Sequence, residues 1–322
     1  MSTAGVPRPY ELLGASPAVA DAVTQLARAA RDDRGVLITA EPGLDAEAVA
    51  RALHHGSARR SRPFVVLACD GASASALEKQ LIGGPQPARA ADPESISQSS
   101  ALARAAGGTL FLAGVTEMSA PLQRRLARLL RDGEVRVARR AAPTPLDVRI
   151  IAAVEDRLDG GLRDELLRRL PLTVEVPALR QRREDVQVIA EAMLAARHEA
   201  RGFTPAALTV LAALPWRRNT AELGGLIDRL TAAGSSSHPI RQEDVLAEVQ
   251  LDRSPARPTG SLRDARRQFE REFIASVLRD HSWQMREAAR ALGIERANLY
   301  RKARQLGIPL RREGPAEGRM AG

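Results

Sequence analysis

Four short apolar runs constrain this chain most: Gly35–Ala40 (GVLITA), Pro63–Ala68 (PFVVLA), Gly108–Leu112 (GTLFL) and Asp147–Val154 (DVRIIAAV). Helical patterns separate them, through Ala48, Val49, Ala52 and Leu53 after the first run and Leu122–Leu130 after the third. Strands that alternate with helices predict a parallel sheet covered on both faces. From Arg183 to about Val249 the pattern is helical only, and Arg253–Gly260 (RSPARPTG) reads as a linker. Gly83–Ser100 is polar with three prolines and is expected to be an exposed loop.

With 322 residues the chain has room for two or three domains. The hydrophobic fraction of 44% fits a globular protein, and aromatics at 3% leave the cores to Leu, Val, Ile and Ala. No apolar run approaches the roughly 20 residues of a membrane helix, and Met1–Tyr10 does not read as a secretory signal. The single cysteine, Cys69, excludes internal disulfides and cysteine-cluster metal sites. These features together fit a cytoplasmic protein with no membrane partner and no metal.

The net charge of +9 is uneven, since residues 261–322 carry 14 Lys+Arg against 8 Asp+Glu. A basic C-terminal segment on a nearly balanced body points to a polyanion, with DNA first. The motif inside that segment supports this. Gln284–Leu292 is helical with Ala288, Ala289 and Leu292 inward; Gly293 stops it, Ile294 plugs the turn, and Glu295–Leu306 is a second helix resting on Leu299 and Leu306. Arg296 is placed to read a guanine edge, Asn298 to touch base or backbone, and Arg301 and Lys302 to hold phosphates. Glu295, Tyr300 and Arg304 complete the candidate DNA-binding set. An amphipathic helix from Ser261, with Leu262, Ala265, Phe269, Phe273 and Val277 on one face, precedes the motif.

The stretch EAARALGIERANLYRKARQLGI resembles the Fis-type helix-turn-helix, whose members dimerise through the preceding helices. The body resembles the AAA+ domain of NtrC-type enhancer-binding proteins, the ATPases that activate sigma-54 RNA polymerase. PFVVLAC, GGTLFL, LLRDGEVRV, DVRIIAA, LRDELLRRL, VPALRQRREDV and LPWRRNTAEL carry this resemblance in order. It implies an α/β AAA+ (P-loop-like) parallel-sheet domain with a helical lid, followed by an all-α Fis-type domain. The corresponding boundaries are 1–175 for the core, 176–252 for the lid, 253–260 for the linker and 261–322 for the DNA-binding domain.

The resemblance also shows where this chain departs from the family. The phosphate loop should end in Gly-Lys, whose lysine neutralises the phosphates. The loop here is Ala40-Glu41-Pro42-Gly43-Leu44-Asp45-Ala46-Glu47. Glu41, Gly43 and Glu47 fit, Asp45 replaces a glycine, and Ala46 stands where the lysine belongs. Lys79 and Lys302 are the only lysines in the chain. The Asp-Glu pair that follows GGTLFL in the family, and organises Mg²⁺ and water, is Ala113-Gly114, with Glu117 expected to point elsewhere. The sensor asparagine is Glu155, the lid arginine is Ala221, and Gly84–Ser100 lacks the GAFTGA-like loop that touches sigma factor. Arg163 and Arg169 match the arginines that reach a neighbouring subunit's nucleotide, whereas Trp216 and Cys69 match as packing residues.

The expectation is a sequence-specific DNA-binding regulator, as a homodimer or higher homo-oligomer on double-stranded DNA, whose AAA+ scaffold is a pseudo-ATPase. No catalytic residue and no cofactor are expected, and the departures in the phosphate loop count against ATP binding. Alternatives are a nucleotide sensor without hydrolysis, a co-regulator assembling with an active NtrC-type relative or with RNA polymerase, an active ATPase with unusual residues, and an architectural DNA-bending protein.

Overall fold

A computed structural model describes residues 9–83, 94–137, 142–155, 161–197, 199, 201–232, 238–253, 274, 278, 284–291 and 296–306. They fall into two compact units, Met1–Val249 and Gln250–Gly322.

The first unit is built on a five-stranded parallel sheet in the order β2-β4-β7-β1-β8. Its strands are β1 (Val36–Thr39), β2 (Phe64–Ala68), β4 (Thr109–Ala113), β7 (Arg149–Val154) and β8 (Leu172–Glu175). Four of these are the apolar runs of the sequence. Alternation sends their side chains to opposite faces. Leu37, Leu110, Leu112, Ile150 and Ala152 meet one layer, which contains α3 (Ala74–Leu81), α4 (Ala101–Arg104) and α5 (Ala120–Asp132). Val36, Ile38, Phe111, Ile151 and Ala153 meet the other, formed by α1 (Pro17–Ala30) and α2 (Ala46–His55). Burial on both faces is why these strands read as continuous apolar runs.

The stretch expected to be an exposed loop is partly otherwise. Residues 84–93 lie outside the described set, but Glu94–Ile96 forms β3, with Glu94 and Ile96 buried. β3 joins β5 (Glu134–Val137) and β6 (Thr144–Pro145) in a three-stranded sheet. The physical reason is pairing across the fold, because Arg125 Nε donates to Glu94 Oε2 at 2.9 Å and Arg128 also pairs with Glu94. A buried carboxylate held this way is tolerated in a polar strand.

After α6 (Asp164–Leu167) and β8, the unit continues as helices: α7 (Val186–Ala196), α8 (Pro205–Ala213), α9 (Asn219–Ala232) and most of α10 (Gln242–Arg253), whose last residues fall past the unit's end at Val249. Their core gathers Leu179, Ile189, Met193, Trp216, Leu223 and Ile227. Trp216 is buried, and its Nε1 donates to the Leu211 carbonyl at 2.8 Å, a packing role.

In the second unit, α11 (Met285–Ala291) and α12 (Arg296–Gln305) bury Ala288, Ala289, Leu299, Ala303 and Leu306 with Ile274 and Leu278. The expected turn at Leu292–Glu295 and the expected apolar face Leu262–Val277 lie outside the described residues, apart from Ile274. Among the described residues no helix is long and apolar enough to cross a membrane.

Candidate functional site

The loop between β1 and α2 decides what the first unit can bind. Gly43 has φ +85°, and a Cβ there would lie 2.0 Å from the Arg218 carbonyl oxygen, so only glycine fits under the lid. The N-terminus of α2 is held by carboxylates of this chain. Asp45 Oδ1 accepts the Ala48 amide at 2.9 Å, and Glu11 Oε1 accepts the Asp45 amide at 3.1 Å. Such amides are what a helix N-terminus ordinarily offers to an anion.

The lid is fastened to the same loop. The Ala221 amide donates to the Gly43 carbonyl at 2.9 Å, and Asn219 Nδ2 donates to the Pro42 carbonyl at 3.0 Å. Asn219 Oδ1 accepts the Leu179 amide at 2.9 Å, and Asn219 itself sits at φ +48°, a conformation asparagine tolerates better than most residues. Thr220 Oγ1 lies 2.8 Å from Glu11 Oε1 and 2.9 Å from the Gly43 carbonyl oxygen, two acceptors sharing one proton. Buried Arg182 gives Nη1 to the Glu11 carbonyl at 2.7 Å and so anchors the 3-10 turn Tyr10–Leu12 that carries Glu11. Burial pushes the Arg182 guanidinium below its ordinary range.

A cavity of about 180 Å³ remains beside the loop, walled by Glu41, Asp45, Ala46, Glu47, Ala113 and Glu155, with Gly114 beside them. A cleft of about 630 Å³ shares Ala40, Glu41 and Glu155 with it, and its ionisable lining is Asp21, Glu41, Glu155 and Glu175. No Lys or Arg among the described residues lines either space. Glu41 is paired bidentately with Arg180 from outside the cavity, which holds its carboxyl below the usual glutamate range. Glu47 pairs with Arg51 at 2.6 Å along α2. Gly114 is left-handed, φ +65°, and opens a 3-10 turn over Val115–Glu117, and exposed Glu117 does not line the cavity. Among the described residues no group of three or more His, Cys, Asp or Glu could hold a metal ion.

The structure thus brings Glu41, Asp45, Ala46, Glu47, Ala113, Gly114 and Glu155 to one cavity, with Gly43 and Ala221 on the lid side of its loop. Arg163 and Arg169 lie elsewhere. Arg163 Nε faces Glu165 at 3.3 Å, and its amide donates to Gln123 Oε1 at 2.9 Å. Arg169 lines a separate cleft with α5. The residues that sequence reasoning missed are Glu11, Arg180, Asn219 and Thr220. The signal for Asn219 was present in LPWRRNTAEL, but nothing in the sequence aims Glu11 at a loop 34 positions away.

On α12, Arg296 and Arg301 are exposed and Asn298 and Lys302 are half-buried. The Arg296 guanidinium carbon is 5.7 Å from the centre of the Tyr300 ring, a cation–π contact that props it against the helix. Arg301 Nη2 donates to Asn298 Oδ1 at 2.9 Å. The Arg304 side chain and all of Glu295 fall outside the described set.

A parallel α/β domain with a phosphate-loop-like turn and a helical lid, joined in one chain to a helix-turn-helix, defines an AAA+ transcription regulator. The comparisons agree. The Sigma-54 interaction domain matches residues 12–176, and the bacterial regulatory protein Fis family matches residues 265–306. The transcriptional regulatory protein ZraR of Salmonella typhimurium is 34% identical over 305 residues, 91% of this chain and 68% of that protein. The DNA-binding transcriptional regulator NtrC of Klebsiella pneumoniae is 31% identical over 92% of this chain and 70% of its own length. The crystal structure of NtrX from Brucella abortus in complex with ATP superposes with a TM-score of 0.64 at 27% identity, covering 92% of this chain and 69% of that one. The chain belongs to the NtrC family of sigma-54-dependent transcriptional regulators.

Proposed function

We propose that this chain regulates transcription by occupying specific DNA sites through α12, on an AAA+ scaffold that does not turn over ATP. One observation carries the reading: at the start of α2 the amides of Asp45 and Ala48 are taken by the carboxylates of Glu11 and Asp45. A triphosphate with Mg²⁺ does not fit the residues present. Its negative charge would face Glu41, Asp45, Glu47 and Glu155 with no cation in the described wall, and like charges in a partly desolvated cleft repel. Ala113 and Gly114 offer no carboxylate to a metal ion. Loss of the family's sigma-contact sequence between Gly84 and Ser100 supports the same conclusion for output.

The protein then acts in the cytoplasm, at the nucleoid, as a homodimer or higher homo-oligomer on a two-fold symmetric site, without remodelling sigma-54 polymerase by hydrolysis. The test is phosphate release and ATP binding by the purified chain. No turnover above background is expected, and no saturable ATP binding in the β1–α2 cavity. Steady phosphate release that co-purifies with the protein, and disappears in a Glu41→Gln/Glu47→Gln double variant, overturns the proposal. Saturable ATP binding without turnover would assign a nucleotide-sensing role instead.

A further inference from the structure

The N-terminal end of the five-stranded sheet gathers more arginine than its acids neutralise. Two turns meet there, residues 31–34 between α1 and β1 and residues 56–63 between α2 and β2. Arg59 fastens them together. Its Nε and Nη2 donate to Asp33 at 2.7 and 2.6 Å, Nη2 also reaches Asp147 at 2.7 Å, and Nη1 donates to the Gly108 carbonyl at 3.1 Å. A Cβ on Gly56 would lie 3.4 Å from the Ala30 Cβ, so the ends of α1 and α2 also pack directly. The second turn is braced from within. Ser57 Oγ donates to the His54 carbonyl at 2.7 Å, and the Arg62 amide donates to the Arg59 carbonyl at 2.8 Å.

The acids of these turns are already paired. Asp32 is held by Arg34 at 2.7 Å, and Asp33 and Asp147 share Arg59. Four exposed arginines are left over, Arg28 and Arg31 at the end of α1 and Arg60 and Arg62 on the second turn. Their side chains make no hydrogen bond or ion pair with any described residue. Buried Arg149 lies under the first turn. Its Nε and Nη2 donate to the Arg34 and Ala29 carbonyls at 3.2 and 2.6 Å, and its Nη1 has no partner. Helix C-terminal carbonyls ordinarily repel an anion, and here a buried cation covers one of them. The large apolar side chains exposed among the described residues, Val188 and Leu246, lie on α7 and α10 and not on this face. Cations without an apolar anchor suit a polyanion better than a protein hot spot or a membrane interface.

We propose that this end of the first unit is a second nucleic-acid surface, at which Arg28, Arg31, Arg60 and Arg62 hold phosphates of duplex DNA without reading its sequence. The guanidinium fork matches phosphate oxygens two at a time. Phosphates recur along each strand, so cations spread over two turns can be met by successive groups of one polymer, whereas a small anion meets one or two of them. Because both turns are already fastened, binding orders side chains and little backbone. The same chain carries a Fis-type helix-turn-helix, so duplex DNA is the polyanion it meets. Contacts of this kind add affinity and leave the choice of site to α12. The inference rests on DNA being the ligand of the chain and not on the loss of hydrolysis.

The experiment titrates a fluorescent mixed-sequence duplex of about 40 base pairs with the full chain, from about 50 to about 300 mM salt. In Arg60→Gln/Arg62→Gln the slope of log affinity against log salt is expected to fall by about two, because each phosphate contact releases roughly one counterion. Affinity at about 150 mM salt should weaken by about tenfold or more. Arg28→Gln/Arg31→Gln, at the end of α1, should do the same. Arg60→Lys/Arg62→Lys should keep the slope, since the count follows charge. Arg183→Gln/Arg217→Gln removes equal charge from exposed lid positions and should leave the slope unchanged. Every side chain replaced is exposed, so the fold should hold, with a melting curve as the check. Arg301→Ala should lower the slope through α12; if it does not while both Gln pairs do, the reading of α12 fails and that of this face stands. An unchanged slope in either Gln pair, an equal fall in the lid pair, or a Lys pair that behaves like the Gln pair overturns the proposal. So does capture by anionic phospholipid vesicles that falls in the Gln pairs while the duplex slope does not, which assigns the face to a membrane surface.

Discussion

Replacing Asn219 with alanine removes one side-chain hydrogen bond from the lid to the β1–α2 loop, at Pro42, and a second to the segment after β8, at Leu179. The Leu179 amide loses its acceptor and the Pro42 carbonyl loses a donor. Asn219 is fully buried, so water cannot easily take over both roles. Leaving one buried donor and one partly buried acceptor unpaired costs about 2–4 kcal/mol together. Alanine at φ +48° adds roughly a further 1 kcal/mol of backbone strain. In a unit of this size each kcal/mol lowers the melting temperature by about 2–4 °C, so a fall of roughly 6–20 °C is expected. Asn219→Gly separates the two terms, because glycine accepts the left-handed conformation and loses only the hydrogen bonds. The assay is thermal unfolding of the full chain, with hydrogen exchange at the Ala221 amide as the local probe of lid opening. A melting temperature within about 1 °C of the wild type in both variants, with Ala221 still protected, refutes the reasoning, since substitutions that break buried networks are expected to be felt.

Arg296→Ala is expected to cost about 1–3 kcal/mol on a specific DNA site and less on random sequence; equal losses in a binding titration would show that Arg296 does not read bases. Burial, helped by the charge of Asp70, pushes the Cys69 thiol up to about 12, so a thiol reagent at neutral pH should leave the native chain unmodified and label it on unfolding. Arg180 depresses the Glu41 carboxyl, so the pair's stabilisation is complete above the unfolded value of about 4.3 and is lost as pH falls through the lower folded value. Arg180→Ala should therefore move the Glu41 titration upward by NMR and make stability less pH-dependent in that acid window. An unmoved titration would show that the pair does not form in solution.

Much of the sheet was legible because its strands are buried on both faces. GVLITA, PFVVLA, GTLFL and DVRIIAAV could hardly sit elsewhere. β8 was not legible, because LTVE alternates Leu172 and Val174 with exposed Thr173 and Glu175 and reads as nothing in isolation. β3 was hidden for a different reason. Its Glu94 looks like a solvent residue until Arg125 and Arg128 arrive from more than 30 positions away. The nucleotide-loop departures could be read one residue at a time. That Asp45 turns its carboxylate onto the helix it precedes, and that Glu11 takes the Asp45 amide, needed coordinates.

The order β2-β4-β7-β1-β8 also has a consequence for how this chain is made. The first strand, β1, pairs only with the last two strands of the sheet, Val36 with Ile151 on one side and with Leu172 on the other. At about 5–20 residues per second, ribosomal synthesis keeps β1 waiting on the order of ten seconds for those partners. Over that interval Val36, Leu37 and Ile38 present an apolar segment with both edges open, the kind of surface that recruits other chains. A nascent chain released before Glu175 is therefore not a smaller version of this domain but an aggregation-prone fragment, and ribosome-bound chaperones matter more to this protein than its modest length suggests.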